Sequence, residues 1–359
     1  MSDKDNDKDK ETIGVVLLNL GGPDSLCAVK PFLFNLFSDR EIIKLGPPFL
    51  QKPLAWLISN LRSKKTEKMY GLIGGKSPIL DITKAQADAL EKALNREPPP
   101  PIRSKTRRGE ERVRERVSGV KFKVYIGMRY WHPYIVDTVE RIQNDRIQHL
   151  IVLSLYPHYS KTTTGSAVSE FKHAVARFTI QDLQPIIKYI EQWYDFPQYI
   201  DSLAELMGKG ISEFKGNDFD VLYSAHSLPE AFIREGDPYL DHIKATILEI
   251  NKRLSLGPYN ITGLKWHLSF QSKTGTVKWL EPSTEEAIIK LSNEGCKNLF
   301  VMPISFVSDH IETLYEIDVL YKGIAEKHGI NLKRCQALNT SEKFIAALKE
   351  LVMKKVEEK

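Results

Sequence analysis

Short apolar runs recur along the chain at 12–20 (TIGVVLLNL), 121–127 (KFKVYIG), 149–156 (HLIVLSLY), 219–225 (FDVLYSA), 264–270 (LKWHLSF) and 298–306 (NLFVMPISF). Between them lie amphipathic stretches at 83–95, 134–146, 197–215, 238–254, 283–294 and 341–357. Strands separated by helices of this length predict parallel sheets covered on both faces. The pattern has two similar halves with a seam near 180–195. It therefore predicts an α/β protein of two doubly wound domains, 12–182 and 183–335, with a C-terminal helix in 336–359 returning to the first. No residue-level repeat joins the halves.

Three segments break the pattern. Residues 1–11 (MSDKDNDKDKE) are charged, lack the apolar core of a signal peptide and read as a solvated, disordered tail. Residues 96–118 are rich in Pro and Arg without apolar periodicity, and read as an exposed, flexible basic insertion. Residues 45–61 (LGPPFLQKPLAWLISNL) are apolar and lead into Arg62, Lys64, Lys65 and Lys68. Two readings stay open for them: a core helix with a solvated end, or a greasy lip for an apolar ligand or a bilayer.

Composition narrows the class. At 359 residues, 42% hydrophobic and 27% charged, the chain suits two globular domains. The formal net charge of +5 suits anionic substrates or a membrane surface and falls far short of a nucleic-acid binder's basic stripe. Cys27, Cys296 and Cys335 are scattered, which argues against a disulfide framework or a cysteine-held cluster. No apolar run reaches the ~18–20 residues of a membrane span, so the expected location is cytoplasmic, with peripheral contact at the inner membrane face left open. Oligomeric state is not legible.

In open parallel sheets, ligands gather beyond the carboxyl ends of the strands. Asn19-Leu20-Gly21-Gly22-Pro23-Asp24 follows the first run and permits tight turns, but is not the dinucleotide fingerprint. Met128-Arg129-Tyr130-Trp131-His132-Pro133 joins stacking surfaces to a guanidinium able to clamp a carboxylate. Hydroxyls at Ser160, Thr162, Thr163, Thr164 and Ser166 suit either helix capping or an acidic ligand. His226 follows a buried strand directly. Glu312 and Glu316 are four apart, on one face of a helix. Either they point into a cleft, or Asp309 and Glu312 form a capping box, or both acids face water.

At these residues the chain resembles the ferrochelatase family, in particular its bacterial members that use protoporphyrin. The likeness spans most of 12–345 and is carried by LLNLGGPDS (17–25), YGLIGGKSPI (70–79), MRYWHP (128–133), LYPHYSKTTTGS (155–166), YSAHSLP (223–229), SFQSKTGTVKWLEPSTEE (269–286) and PISFVSDHIETLYEID (303–318). It implies two Rossmann-like domains with a porphyrin cleft between them, and insertion of Fe2+ into protoporphyrin IX, the last metal-loading step of haem synthesis. By the same resemblance His226, Glu312 and Glu316 are catalytic, and His226 and Glu312 meet the iron from opposite sides of the cleft. Arg129, Tyr130, Trp131, Ser224 and His310 line the cleft, with Asp309 in the supporting polar cluster. Fe2+ is a substrate here, so no cofactor is required. The [2Fe–2S] cluster of some relatives needs four cysteines, and this chain has three. The sequence departs from the family pattern at Gly71, Lys76 and Leu320, where the family has an arginine, a third glycine and a further acid.

The chemistry suits these side chains. Metallation must remove the inner N–H protons and turn in-plane lone pairs toward the ion. Clamping the ring in a puckered shape supplies roughly 1–5 kcal/mol of strain. A neutral imidazole is a base titrating near neutrality, and one imidazole with one carboxylate is a sparse N/O set that can hold Fe2+ and release it. The rival readings are a chelatase for another metal or tetrapyrrole, and a non-catalytic porphyrin carrier.

Overall fold

Strand β1 (Thr12–Asn19) is buried from Ile13 onward, and a strand covered on both faces belongs at the centre of a parallel sheet. The computed structural model describes residues 12–96, 103–105, 111–113, 120–178, 185–214, 218–273, 275 and 277–358. After β1 come α1 (Val29–Ser38), α2 (Gln51–Leu72), α3 (Ile79–Arg96) and an antiparallel ribbon of β2 (Arg103–Lys105) and β3 (Glu111–Val113). The first half closes with β4 (Lys121–Met128), α4 (Ile135–Asn144), β5 (His149–Ser154), a π-type turn π1 (Lys161–Gly165), α5 (Ser166–Phe178) and β6 (Ile186–Ile190). The second half starts with α6 (Pro197–Ile211), β7 (Asp220–His226), α7 (Glu230–Arg234), α8 (Tyr239–Leu256), β8 (Trp266–Gln271) and α9 (Thr284–Asn293). It ends with β9 (Asn298–Pro303), a π-type helix π2 (Glu312–Tyr321), α10 (Lys322–Lys327), β10 (Asn331–Arg334) and α11 (Glu342–Glu357).

The two sheets, β4-β1-β5-β6 and β10-β9-β7-β8, are parallel throughout and share one winding. In each, the first strand is central, the second lies on one side, and the third and fourth lie on the other. Each sheet therefore reverses direction between its first and third strands, β1/β5 and β7/β9. At such a switch point the neighbouring loops diverge and leave a crevice. A π-type segment follows the third strand in both. The halves thus repeat in topology although their residues do not.

Strands β6 and β10 escaped the reading of the apolar runs. Both are short sheet edges and only partly buried, and Lys188 interrupts IIKYI while NLKR ends in two cations. The first omission corrects a boundary. β6 pairs with β5 from His149–Ile186 to Leu153–Ile190, so a domain starting at 183 would take a strand from the first sheet, and the crossing follows Ile190. Helix α11 lies against α3, α6 and the β5–β6 side of the first sheet. One core cluster accordingly runs from Leu17 and Leu153 through Trp193, Tyr199 and Phe344 to Tyr223 and Phe300. The Trp193 indole N–H also donates to Ser154 O at 2.8 Å.

Residues 45–61 resolve as a loop, a 3-10 turn (Pro48–Leu50) and the start of α2, with an open apolar side. Phe49 is 76% exposed, Leu61 74% and Trp56 59%, among exposed Lys52, Arg62, Lys64, Lys65 and Lys68. No helix among the described residues is long and apolar enough to cross a membrane. The 1–11 tail and, the ribbon's backbone apart, the 97–118 insertion lie outside the described residues.

Candidate active site

His226 is the last residue of β7, at the switch point of the second sheet, and π2 opens with Glu312 nine residues after β9. The imidazole Nδ1 lies 2.8 Å from Glu312 Oε2. A carboxylate only accepts, so Nδ1 carries the hydrogen and the Nε2 lone pair is left open. The histidine side chain is 36% exposed and the glutamate 15%. The pair was expected to face each other across a cleft. Instead they touch on one wall, because the ends of adjacent strands β7 and β9 deliver both. His310 is on the same wall, with Nε2 3.8 Å from Glu312 Oε1.

Ser272, just past β8, links the two glutamates. Its Oγ is 2.7 Å from Glu312 Oε2 and 2.7 Å from Glu316 Oε2. A hydroxyl has one hydrogen, so both short contacts form when Ser272 donates to Glu312 and a protonated Glu316 donates to Ser272. The electrostatics agree. Burial, then the charge of Glu312, push Glu316 up to about 7, against a smaller downward pull from Ser272 and His226. For Glu312 burial acts upward, but His226 and His310 more than offset it and hold the carboxyl well below its usual range. Burial lowers the pKa of His226, and the Glu312 carboxylate, its hydrogen bond and Glu316 together raise it above 6.5. Ser272 sits at φ +66°, a sparsely populated conformation for a residue with a Cβ.

The π2 segment is held from behind. Arg334 grips Asp318 with a fork, Nε–Oδ1 2.8 Å and Nη2–Oδ2 2.9 Å, and its Nη1 donates to Asp309 Oδ1 at 2.9 Å. Thr313 Oγ1 donates to the same Asp309 oxygen at 2.9 Å. The capping box is therefore not formed: Asp309 binds Thr313 and Arg334, and Glu312 turns to His226. Asp318, in the Arg334 fork, is not a further step of the carboxylate ladder.

The first lobe carries a separate cluster. Asp39 Oδ2 accepts from Arg129 Nη2 at 2.9 Å, Tyr130 OH at 2.6 Å and Ser166 Oγ at 2.7 Å, and Arg129 Nε donates to Ser166 Oγ at 2.9 Å. Burial would raise the Asp39 pKa, yet Tyr130, Arg129, Ser166 and the Glu41 N–H hold it below the usual value. Tyr130 is buried and Arg129 already has acidic partners, so neither presents the free surface expected of a cleft lining. Trp131 is partly open and packs with Ile311, the residue before Glu312, around the α1–α2 cluster. Ser224 is fully buried, bonded to Gln271 Oε1 at 2.6 Å and Thr284 Oγ1 at 2.9 Å, and belongs to the sheet interior. Ser160 caps π1 by accepting from Thr162 N–H at 3.2 Å, which answers the hydroxyl run by capping. Gly21, at φ +82° with Trp131 N 3.1 Å from where a Cβ would stand, is a turn that requires glycine.

His226, Glu312, Glu316 and His310 are thus brought together, while Arg129 and Tyr130 form their own group. Ser272 was missed as a site residue, as were Gln271, whose Nε2 donates to Glu312 O at 3.1 Å, and Asp39, the centre of the Arg129–Tyr130 group. Ser272 lay in the SFQSKTG segment, but its backbone conformation has no mark in sequence. Tyr70 and Tyr156 of the first lobe were missed as well. Burial raises both phenols, and the charge of Glu312 adds to the rise.

SirB from Bacillus subtilis with Fe3+ superposes with a TM-score of 0.53 at 9% identity, over 96% of this chain and 95% of that one, a likeness of fold alone. Twin parallel sheets with an imidazole–carboxylate pair at a switch point define an α/β protein of the chelatase fold. The family model for ferrochelatase matches residues 12–100 and 97–356. Ferrochelatase of Desulfotalea psychrophila is 45% identical over 340 residues, 95% of this chain and 96% of that one. The corresponding figures are 46% over 352 residues for Geotalea uraniireducens (96% and 98%) and 46% over 347 for Synechocystis (95% and 82%). The chain belongs to the ferrochelatase family, enzymes that load ferrous iron into protoporphyrin in haem synthesis.

Proposed function

We propose that His226 is the base of the metallation reaction, acting through Nε2, and that His226 and Glu312 are the ligands that pass Fe2+ to protoporphyrin IX. The observation that carries this reading is the 2.8 Å contact between Nδ1 and Glu312, which fixes the tautomer and leaves a single lone pair open. Iron arrives on that lone pair and on a carboxylate oxygen, a set too sparse to trap it. As the ion moves to the ring nitrogens, Nε2 is vacated and takes up an inner N–H proton. The imidazolium so formed is stabilised by Glu312, as a carboxylate stabilises a protonated base in other hydrogen-bonded pairs.

Two protons leave the ring for each iron inserted. Glu316 first gives its own proton to water. The second ring proton, taken up by a Glu312 oxygen, then passes on as the Ser272 hydroxyl accepts it and gives its own hydrogen to Glu316. The first leaves His226 Nε2 directly to water and restores the Nδ1–H tautomer. The Glu316 carboxyl, at about 7, is suited to hold a proton and return it to water. Trp131 and the open face of α2 supply apolar surface for the macrocycle. The scheme needs no cofactor beyond the two substrates. The same face, apolar and ringed by Lys52, Arg62, Lys64, Lys65 and Lys68, fits shallow insertion into an anionic bilayer, so the enzyme works as a peripheral membrane protein.

Anaerobic assay of the purified chain with Fe2+ and protoporphyrin IX, followed by the Soret change, tests the base assignment. His226→Ala abolishes metallation and leaves porphyrin binding within about threefold of wild type, since the histidine adds little to ground-state binding. Residual turnover near wild type, or loss of binding as severe as loss of turnover, overturns it.

A further inference from the structure

The backbone of His226 is held on both sides of its Cα by hydroxyls from two other elements. Its N–H donates to Ser305 Oγ at 3.1 Å, in the loop after β9. Its carbonyl accepts from Tyr239 OH at 2.9 Å, at the start of α8. The two hydroxyls lie 2.6 Å apart, and both residues are buried.

The hydrogens in this ring can be arranged in one way. An amide N–H only donates and a carbonyl only accepts. Ser305 therefore accepts from His226 N–H and gives its own hydrogen to Tyr239, which gives its own to His226 O. Each hydroxyl donates once and accepts once around a closed loop, and in a buried site such bonds strengthen one another. Tyr239 is itself anchored. Its N–H donates to Asp237 Oδ1 at 3.1 Å, and Asp237 Oδ2 accepts from Ser160 Oγ at 2.9 Å and Lys161 N–H at 2.8 Å, at the start of π1 in the first lobe. The backbone beneath the imidazole is thus referenced to the opposite lobe.

We propose that Tyr239 and Ser305 are positioning residues for metallation: their closed hydroxyl ring fixes the backbone on both sides of the His226 Cα, and with it the direction of the imidazole toward Glu312 and the porphyrin. This rests on His226 being the base. Neither hydroxyl touches substrate, so the ring acts on the chemical step and not on binding.

Steady-state kinetics of the full chain with Fe2+ and protoporphyrin IX, with thermal unfolding of each variant, decide it. Tyr239→Phe lowers kcat about tenfold, the scale of a small misplacement of a catalytic group, and keeps both KM values within about twofold. Ser305→Ala, the milder change, does the same. The double variant is no slower than the slower single, because either change opens the loop. Tyr223→Phe is the control: it removes an equally buried hydroxyl bond, Tyr223 OH to Asn251 Oδ1 at 2.7 Å, and keeps the wild-type kcat.

The ring is overturned by a Tyr239→Phe kcat within about twofold of wild type, by single losses that multiply in the double variant, or by an equal loss in Tyr223→Phe. His226→Ala separates the two assignments. If it stays active, the base reading fails. If it is dead while Tyr239→Phe is normal, the ring alone fails.

Discussion

The ends of β5 and β9 are the same place in two sheets of one winding, each followed by a π-type segment, yet they have been put to different uses. Beyond β5, Ser160, Thr162, Thr164 and Ser166 are buried and hydrogen-bonded within the protein, Ser160 to Thr162 and Asp237, Thr164 to Ser154, and Asp39 closes around Arg129, Tyr130 and Ser166. Arg129, Tyr130 and Ser166 all donate to the one Asp39 oxygen. Beyond β9 the balance is deliberately incomplete. Glu312 is satisfied by His226 and Ser272, but the imidazole keeps one nitrogen open and Glu316 shares a hydroxyl it can bond only by holding a proton. A closed polar cluster resists change and gives rigidity. An open one can exchange a proton or an ion, which is what metallation demands.

The contrast can be broken most severely at Glu312. Glu312→Gln keeps the shape and removes the charge, and turnover falls about 10²-fold or more, the usual worth of a positioned acid–base group. The pH profile supplies the sign. Neutral His226 is the active form, and Glu312 raises its pKa, so the acid limb of kcat/KM lies above 6.5 in the wild type. Without that carboxylate its charge and its hydrogen bond are both lost, leaving burial, which lowers the pKa, against the smaller upward pull of Glu316, so the limb of the residual activity moves to lower pH. An unmoved limb assigns the titration to another group.

Asp39→Asn makes the opposite cut. It breaks a buried ion pair and costs about 3 kcal/mol in denaturant unfolding, while turnover falls less than in Glu312→Gln. A larger loss of turnover than of stability would show that the first-lobe cluster takes part in the reaction. The smallest effect belongs to the rim. Trp56→Ser with Leu61→Ser weakens adsorption to anionic vesicles several-fold, in proportion to the apolar area removed, and raises the KM for detergent-dispersed porphyrin about twofold with kcat unchanged. Unaltered sedimentation with vesicles would remove the membrane role.

Much of this was legible along the chain. The central strands announced themselves because both faces are buried, and six of the eight strands of the two parallel sheets lie on apolar runs. His226, Glu312 and Glu316 could be singled out because they stand at strand ends in recurring motifs. The edge strands could not, since a half-exposed strand of four or five residues has no distinctive periodicity. Ser224 was drawn into the expected cleft by its nearness to His226 in sequence. The two residues share a face of β7, but Ser224 lies inside the sheet against Gln271 and Thr284 whereas His226 stands at the strand's open end.

What the sequence determined by itself, then, is the alternation of strand and helix, the identity of the reactive side chains and the family they belong to, all properties of residue type and local spacing. What only the tertiary structure decided is which groups meet. Glu312 lies beside His226 and not opposite it, Ser272 joins two carboxylates from another strand, and Tyr239 with Ser305 closes on the backbone of the proposed base. Those contacts join residues 13 to 86 positions apart. Their geometry comes from the winding of the sheet, which brings distant strand ends together at one switch point, and no local pattern carries that information.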